Sequence, residues 1–240
     1  MQINDIIEDF SDQLSPNYKS NHLPKALEYH RRLMMIQRLT HHMRSTKYCK
    51  GCDLSSMFGH EETYIVPGTG NVLTDMMIIG RAPERYENEF EFPLIGPAGI
   101  ILTIILSAAG IDRNNTWITS IIKCQIRNQD PAHSQVTQCI RFLKKEINII
   151  RPKVILTLGY AALKAFFPEV NSITKERGKV RKCIFKDHDD QFEVNIVPTF
   201  HPMYLLYKVD TDLQIAKKSV FDDVRLALSL RSDNIAINIP

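Results

Sequence analysis

Short apolar runs alternate with longer segments of helical periodicity over most of the chain. Four largely apolar runs have the length of strands, and these are residues 75–80 (DMMIIG), 116–122 (TWITSII), 153–159 (KVILTLG) and 193–200 (EVNIVPTF). Continuous apolar runs of this length are typical of parallel strands that are covered on both faces. The pattern therefore predicts four strands in one mainly parallel sheet.

Two segments between these runs have the length and the end signals of helices. GPAGIILTIILSAAGI ends near Gly110 and TQCIRFLKKEINIIRP ends near Pro152, and both residue types commonly follow the last turn of a helix. Strands that alternate with helices predict a three-layer α/β/α fold around a central four-stranded sheet. In such sheets ligands bind beyond the carboxyl ends of the strands, so the residues that follow each strand are the candidates for a site.

The first 46 residues have a different pattern, in which apolar positions recur at helical spacing. We expect one or two helices there, and Met34 and Met35 are expected to pack against the main body rather than to form a partner surface. The chain is therefore divided into a helical N-terminal extension (1–46), an α/β domain (47–232) and a tail (233–240).

Composition and charge narrow the class of protein. No run of eighteen apolar residues occurs, and the first ten residues, MQINDIIEDF, lack the basic-then-apolar order of a secretion signal. We therefore expect an intracellular, cytoplasmic protein with no membrane partner. The net charge of +3 is too small to establish a polyanion partner. Basic residues do cluster in residues 30–50 and 175–182, which either contact phosphates or form solvated surfaces.

Five cysteines raise a further question, because thiols stay reduced in an intracellular protein. Cys49 and Cys52 form a C-x2-C pair among polar residues, which is typical of a metal site or a redox dithiol. Cys124 and Cys139 are the next two cysteines along the chain. Four such thiolates can bind either zinc or an iron-sulfur cluster, whereas Cys183, in an apolar run, is expected to be a structural residue.

Several motifs occur in the order and at the spacing of a known family. The chain resembles the iron-sulfur uracil-DNA glycosylases, families 4 and 5, over about residues 47–210. The motifs are KYCKGCDL, PGTGN, DMMIIGRAPERYENEFEFPLIGPAG, WITSIIKCQIRNQDP, QCIRFLKKEINIIRPKVILTLG, ERGKV and VPTFHPMYLL. The resemblance implies a 4Fe-4S cluster on Cys49, Cys52, Cys124 and Cys139.

The resemblance also implies a role in base excision from DNA. His201 matches the histidine that donates to the pyrimidine O2, and the backbone around Arg81 and Ala82 matches the motif that lines the site. Residues 202–206 match the loop that enters the minor groove, where apolar side chains can wedge into the emptied stack. The implied DNA contacts are Pro202, Met203 and Leu205 of this loop, with Arg177 and Lys179 of the second basic cluster.

Several pocket positions depart from family 4. The family's GEAPG is GRAPE here, so the pocket residues Gly80 and Pro83 are kept while Arg81 replaces a carboxylate and Glu84 replaces a glycine. An arginine cannot act as a base. Leu94 replaces a phenylalanine that stacks on uracil, and Ser120 replaces an asparagine that reads its edge. Family 5 also lacks that carboxylate and that asparagine, yet it acts on a broader set of deaminated bases.

Two functions agree with these residues. One is a DNA glycosylase with shifted or weakened uracil specificity. The other is a catalytically impaired DNA-binding module that acts in a replication or repair assembly, with a protein partner bound through residues 1–46. Glu87 and Glu91 lie near the altered motif and can in principle supply a carboxylate, but we expect them to be solvated loop charges.

Overall fold

The computed structural model describes residues 20, 22–45, 52, 54, 64–126, 130–187 and 190–231. Cys49, residues 1–19, the predicted domain boundary at 46/47 and the tail 233–240 lie outside this part. Its strands are β1 (Thr69–Gly70), β2 (Met76–Gly80), β3 (Trp117–Ser120), β4 (Val154–Leu158), β5 (Arg181–Asp187) and β6 (Asp190–Thr199). Its α-helices are α1 (Leu23–Arg44), α2 (Arg85–Phe90), α3 (Pro97–Ala108), α4 (His133–Ile150), α5 (Gly159–Lys164), α6 (Ile173–Glu176), α7 (Met203–Leu206) and α8 (Asp210–Ser229).

The strands form one sheet in the order β1-β3-β2-β4-β6-β5. The four predicted strands are its parallel centre, since β2 pairs with β3 and β4, and β4 pairs with β6. The prediction of four strands is too low, because β1 and β5 add an antiparallel strand at each edge. Both were missed for a physical reason: β1 has only two residues, and β5 is a half-exposed edge strand without a continuous apolar run.

Helices cover both faces of the sheet, which confirms the predicted α/β/α layers. Side chains alternate along β2, so that Met76 and Ile78 pack with α3 and α8 while Met77 and Ile79 pack with α1 and α4. All four side chains are fully buried. The apolar character of the central strands therefore follows from burial on both faces. None of the described helices is both long enough and apolar enough to span a bilayer.

Helix α1 confirms a helical segment within the N-terminal extension and packs antiparallel on α4. Arg32 Nη1 donates to the carbonyl oxygens of Ile150, at 2.6 Å, and of Val72, at 3.2 Å. The helix buries Ile36, Leu39 and Met43. The expectation for Met34 and Met35 was wrong, because they are 51% and 36% exposed.

Candidate active site

The carboxyl ends of the parallel strands bring together three of the predicted pocket positions. Gly80 ends β2 and pairs with Ser120, which ends β3. A Cβ atom placed on Gly80 would lie 3.5 Å from Leu94 Cδ1 and 3.7 Å from Ser120 Oγ. Leu94 and Ser120 are buried, at 6% and 4% exposure. These side chains therefore form one compact apolar wall with a single hydroxyl in it.

His201 lies at the same edge, two residues beyond the end of β6. Gly159, which follows β4, has a φ of +84°, and a Cβ atom there would approach His201 Cβ to 3.1 Å. The backbone N–H of Met203 donates to His201 Nδ1 over 3.3 Å. Because Nδ1 acts as the acceptor, the proton of the neutral ring belongs on Nε2. His201 is thus held as a hydrogen-bond donor through its outer nitrogen.

The surroundings of His201 keep the imidazole neutral. Burial and, to a smaller extent, the positive charge of Arg81 lower the pKa of His201 to about 4, against the opposing effect of the Glu87 carboxylate. Loss of hydration disfavours the charged form of a histidine, and a nearby cation does the same. The ring can therefore donate a hydrogen bond at neutral pH without carrying a charge.

Arg81 forms ion pairs at the mouth of the site. Its guanidinium nitrogens lie 3.3 Å from Glu84 Oε1 and 3.5 Å from Asp130 Oδ1. Glu84 is the N-cap of α2. The segment after β3 runs beside residues 80–84 (GRAPE). The N–H of Ile122 donates to Arg81 O at 3.1 Å, and the N–H of Ile126 donates to Pro83 O at 3.4 Å. Ala82, between them, is half-buried and packs on the core.

Glu87 differs from the expectation, because it is a buried residue with 6% exposure rather than a solvated charge. Its carboxylate accepts three backbone hydrogen bonds: from Glu84 N at 3.1 Å, Ile95 N at 3.0 Å and Gly96 N at 2.8 Å. These bonds join the start of α2 to the turn after Leu94. The sequence did carry a signal, since Glu-x-x-Glu at a helix start is a capping pattern. Glu91 agrees better with the expectation: it is partly exposed and pairs with Arg44 of α1.

Arg113 holds the same turn from the other side. It donates to Pro93 O at 2.8 Å, to Gly99 O at 3.3 Å and to Thr103 Oγ1 at 3.2 Å. Leu94, between these bonds, has a φ of +52°, which costs an L-residue about 1 kcal/mol or more. Glu87 and Arg113 thus support a strained backbone that fixes the side chain of the pocket wall. Sequence reasoning missed this pair of oppositely charged residues.

The segment after His201 exposes side chains other than the ones that we predicted. Pro202 and Leu205 are buried, Met203 is partly buried, and Leu205 and Met203 both pack with the core under α3. Between His201 and α8 the most exposed large apolar side chains are Tyr207, at 77%, Val209, at 71%, and Leu206, at 54%. Phe200 and Tyr204 stack with ring centroids 4.3 Å apart and brace the segment.

Arg177 and Lys179 lie beside β6, where the N–H of Gly178 donates to Pro198 O at 3.0 Å. Arg177 forms an internal ion pair, because its Nε donates to Asp223 Oδ2 at 2.9 Å and its Nη2 donates to Ser219 O at 2.6 Å. Lys179 is exposed. Of the two, Lys179 is the one that offers its charge to solvent.

Three of the four predicted cluster ligands fall within the described residues, and Cys49 falls outside them. Cys124 and Cys139 are buried, at 7% and 6% exposure, and Cys52 packs against the same apolar cluster. Within the described residues, no three Cys, His, Asp or Glu side chains are grouped as a metal site. The thiol donors suit an iron-sulfur cluster chemically, but the described geometry by itself does not assemble a coordination sphere.

Known proteins with similar sequences include DNA glycosylases. The model of the Uracil DNA glycosylase superfamily matches residues 67–225. The Type-4 uracil-DNA glycosylase of Sulfurisphaera tokodaii is 36% identical over 165 residues, which are 66% of this chain and 71% of that protein. The Type-4 uracil-DNA glycosylase of Thermotoga maritima is 34% identical over 185 residues, or 76% of this chain and 89% of that protein. A DNA polymerase of Bacillus phage SP01 is 30% identical over 115 residues, 47% of this chain but 12% of that protein. With a match over most of its length, the chain belongs to the uracil DNA glycosylase superfamily.

Proposed function

We propose that the protein is a DNA glycosylase that hydrolyses the N-glycosidic bond of a flipped uracil or another deaminated base. The observation that carries this proposal is His201, a neutral donor held at the carboxyl edge of the sheet beside the pocket wall. Departure of a base leaves negative charge on it, and a positioned N–H that meets this charge lowers the barrier. Named uracil-DNA glycosylases among the relatives support the same reaction.

In this mechanism the imidazole acts as a donor and never as a base. Its Nε2–H donates to the O2 of the leaving base, and the hydrogen bond strengthens as charge accumulates there. The backbone around Arg81 and Ala82 lines the same pocket, together with Gly80, Pro83 and Glu84. Arg81 carries no acceptor, so a positioned water and the DNA phosphates complete the reaction at the sugar.

Specificity is the part of the proposal that departs from the type-4 relatives. Leu94 gives the base an aliphatic surface without the π face of an aromatic ring, which weakens stacking. Ser120 offers one hydroxyl, whereas reading a base edge with a matched donor and acceptor takes two groups. We therefore infer shifted or weakened uracil specificity, in which the shape of the pocket selects the base instead of hydrogen bonds to the base edge.

DNA binding is assigned to the segment after His201 and to the neighbouring basic loop. Pro202, Met203 and Leu205 shape the segment from within, whereas Leu206 and Tyr207 offer the apolar surface that can enter the groove. Lys179 supplies a charge for phosphate contacts, and Arg177 holds the loop in place through Asp223.

A 4Fe-4S cluster on Cys49, Cys52, Cys124 and Cys139 completes the proposal, with a structural role. It would tie the segment before β2 to the loop after β3 and to α4. The support is the donor chemistry and the sequence resemblance. Iron and acid-labile sulfide analysis of anaerobically purified protein is the test, and about four irons per chain are expected.

The activity is tested with single- and double-stranded oligonucleotides that carry uracil, hypoxanthine, xanthine or 5-hydroxymethyluracil. Abasic product that disappears in His201→Ala supports the glycosylase. The double variant Leu94→Phe/Ser120→Asn should increase the preference for uracil by roughly 5- to 150-fold, the equivalent of about 1 to 3 kcal/mol. An unchanged preference in that variant would contradict the explanation from these two positions.

A second function is favoured by the phage relative. In that DNA polymerase, the part similar to this chain makes up 12% of the protein, so a segment that resembles this chain occurs there within a DNA polymerase. The corresponding proposal is a DNA-binding module that acts in a replication or repair assembly, with its partner bound through residues 1–46. Shifted DNA bands without abasic product from any of the four bases would favour this function over the first.

A further inference from the structure

A groove of about 390 Å³ lies between α1 and α4. Its floor is apolar and buried, with Leu39 at 7% and Ile149 at 8% exposure, while Met35 on its rim is 36% exposed. Among the described residues, the polar and charged side chains around this floor include Arg38, Lys145, Asn148 and Asp187.

The groove is separate from the proposed active site. It lies beside the last turns of α4, and α4 ends at Ile150, just before the amino end of β4. His201 lies at the opposite, carboxyl edge of the same sheet. Base binding therefore does not account for this surface.

The chemistry of the groove is cationic above an apolar floor. Arg38 and Lys145 are both exposed, and within the described part of the chain no carboxylate forms a salt bridge with either. Asp187, the acidic residue of the lining, lies 3.9 Å from Arg151. Asn148 Nδ2 donates to Lys186 O at 3.1 Å, whereas its buried Oδ1 receives no hydrogen bond from the described residues. A complementary occupant would carry carboxylates, bulky apolar side chains and a hydrogen-bond donor.

The protein's own sequence contains a segment of that chemistry. Residues 3–14, INDIIEDFSDQL, contain four carboxylates and no basic residue. Their apolar side chains recur at the spacing of one helical face: Ile3, Ile6, Ile7, Phe10 and Leu14. Asn4, Ser11 and Gln13 supply side-chain donors.

The length of the connection permits this segment to reach the groove. Ser20 is helical and His22 begins α1 in a helical conformation, so the free link is residues 15–19, which can span at most about 18 Å when extended. Twelve residues in helical conformation add about 18 Å, and the two lengths together exceed the distance of about 22 Å along α1 from Leu23 to Arg38. A tethered segment also has an effective concentration in the millimolar range, so even weak complementarity is sufficient to occupy the surface.

We propose that residues 3–14 bind in the groove between α1 and α4, with their carboxylates on Arg38 and Lys145 and their apolar face on Leu39 and Ile149. The inference does not depend on the proposed glycosylase activity. It makes residues 3–14 an internal partner of α1 and α4.

The test is the rate at which chymotrypsin cleaves the full-length protein after Phe10 and Leu14. In Arg38→Glu/Lys145→Glu, cleavage should be at least ten-fold faster than in the wild type. The matched control is Lys217→Glu/Arg225→Glu, which makes the same charge changes on exposed positions of α8, on the other face of the sheet. Adding Glu8→Lys/Asp9→Lys to the groove variant should restore slow cleavage. Equal rates in the wild type and the groove variant would overturn the proposal.

A second measurement identifies what occupies the groove. A photoreactive benzoylphenylalanine at position 10 should cross-link within one chain to residues 35–42 or 145–149. Cross-links that join two chains would overturn the intramolecular proposal in favour of a second copy. Cross-links to other surfaces, with none to these two ranges, would overturn it altogether.

Discussion

The protonation of His201 is the residue-scale property on which the proposed chemistry depends. A histidine with an ordinary pKa near 6.5 would be largely charged at pH 5, whereas burial and Arg81 lower the pKa of His201 to about 4. The folded protein therefore binds this proton less readily than the unfolded chain. Its contribution to stability is complete above pH 6.5 and is lost as the pH falls toward 4.

This difference gives a measurable pH dependence. Between pH 7.5 and pH 5, we expect His201 to account for a loss of about 2 kcal/mol in the free energy of unfolding. Over the same interval, the free energy of unfolding of His201→Gln should fall by about 2 kcal/mol less than that of the wild type. Urea denaturation at both pH values measures this difference. Parallel losses in the two proteins would show that the histidine is not held neutral.

Glu87 shows at the same scale how a carboxylate can be mistaken for a catalytic or a solvated group. A single sequence reveals its charge and its place near the altered motif, but it does not reveal that three backbone N–H groups converge on it. Leu94 is similar, because its identity can be read whereas its φ of +52° cannot. Such properties depend on how two loops meet in space.

Glu87→Gln tests this assignment. The amide has one oxygen acceptor where the carboxylate has two, and it removes the negative charge that faces the partly buried Arg113. We expect the variant to lose about 1 to 3 kcal/mol of stability, as measured by thermal or urea unfolding. Glu89→Gln, an exposed neighbour on α2, is the control and should change stability by less than about 0.5 kcal/mol. If Glu87→Gln also lost less than about 0.5 kcal/mol, Glu87 would not be holding the turn at Leu94.

At the scale of elements, a buried ion pair joins the end of β3 to α4. Lys123 Nζ lies 2.7 Å from Glu146 Oε2, and the two side chains are 1% and 2% exposed. Thr119 Oγ1 donates to the same carboxylate at 2.8 Å, and Gly68 N donates to Glu146 Oε1 at 3.2 Å. The network fixes the segment that bears Cys124 against the helix that bears Cys139.

Removing one partner of this pair leaves the other charge buried and uncompensated. Lys123→Met should therefore cost about 3 to 5 kcal/mol of stability, and Lys123→Met/Glu146→Leu much less than the sum of the two single variants. The exposed pair Lys182–Glu193 is the control, since removing it should cost less than about 1 kcal/mol. Additive losses in the double-mutant cycle at Lys123 and Glu146 would mean that the pair is not coupled.

The elements themselves were predictable where burial imposes a pattern. The central strands β2, β3, β4 and β6 and the helices α3 and α4 were all predicted, because strands covered on both faces must be apolar and helices must show one apolar side. The edge strands β1 and β5 were missed, since an edge strand has only one covered face or is too short to show a period. Because these four strands are parallel, their carboxyl ends lie at one edge of the sheet, as the sequence predicted.

For the whole molecule, the sheet separates two surfaces with different chemistry. The carboxyl edge combines a partly buried neutral donor at His201 with the exposed Leu206 and Tyr207 and the basic loop at Lys179. The surface between α1 and α4 is cationic and apolar and lies toward the amino ends of the strands. If the carboxyl edge alone meets DNA, then variants at the two surfaces should affect DNA binding differently.

Tyr207→Ala tests this separation. The side chain is 77% exposed, so its loss should leave stability within about 0.5 kcal/mol of the wild type. Because filling an emptied stack matters only in a duplex, kcat/KM on duplex substrate should fall about ten-fold, with a much smaller change on single strands. Tyr29→Ala, at a 40% exposed position of α1, is the control and should change neither value. Equal losses on both substrates would assign Tyr207 to general DNA affinity, and losses in the Tyr29 variant would place DNA on the first half of α1 as well.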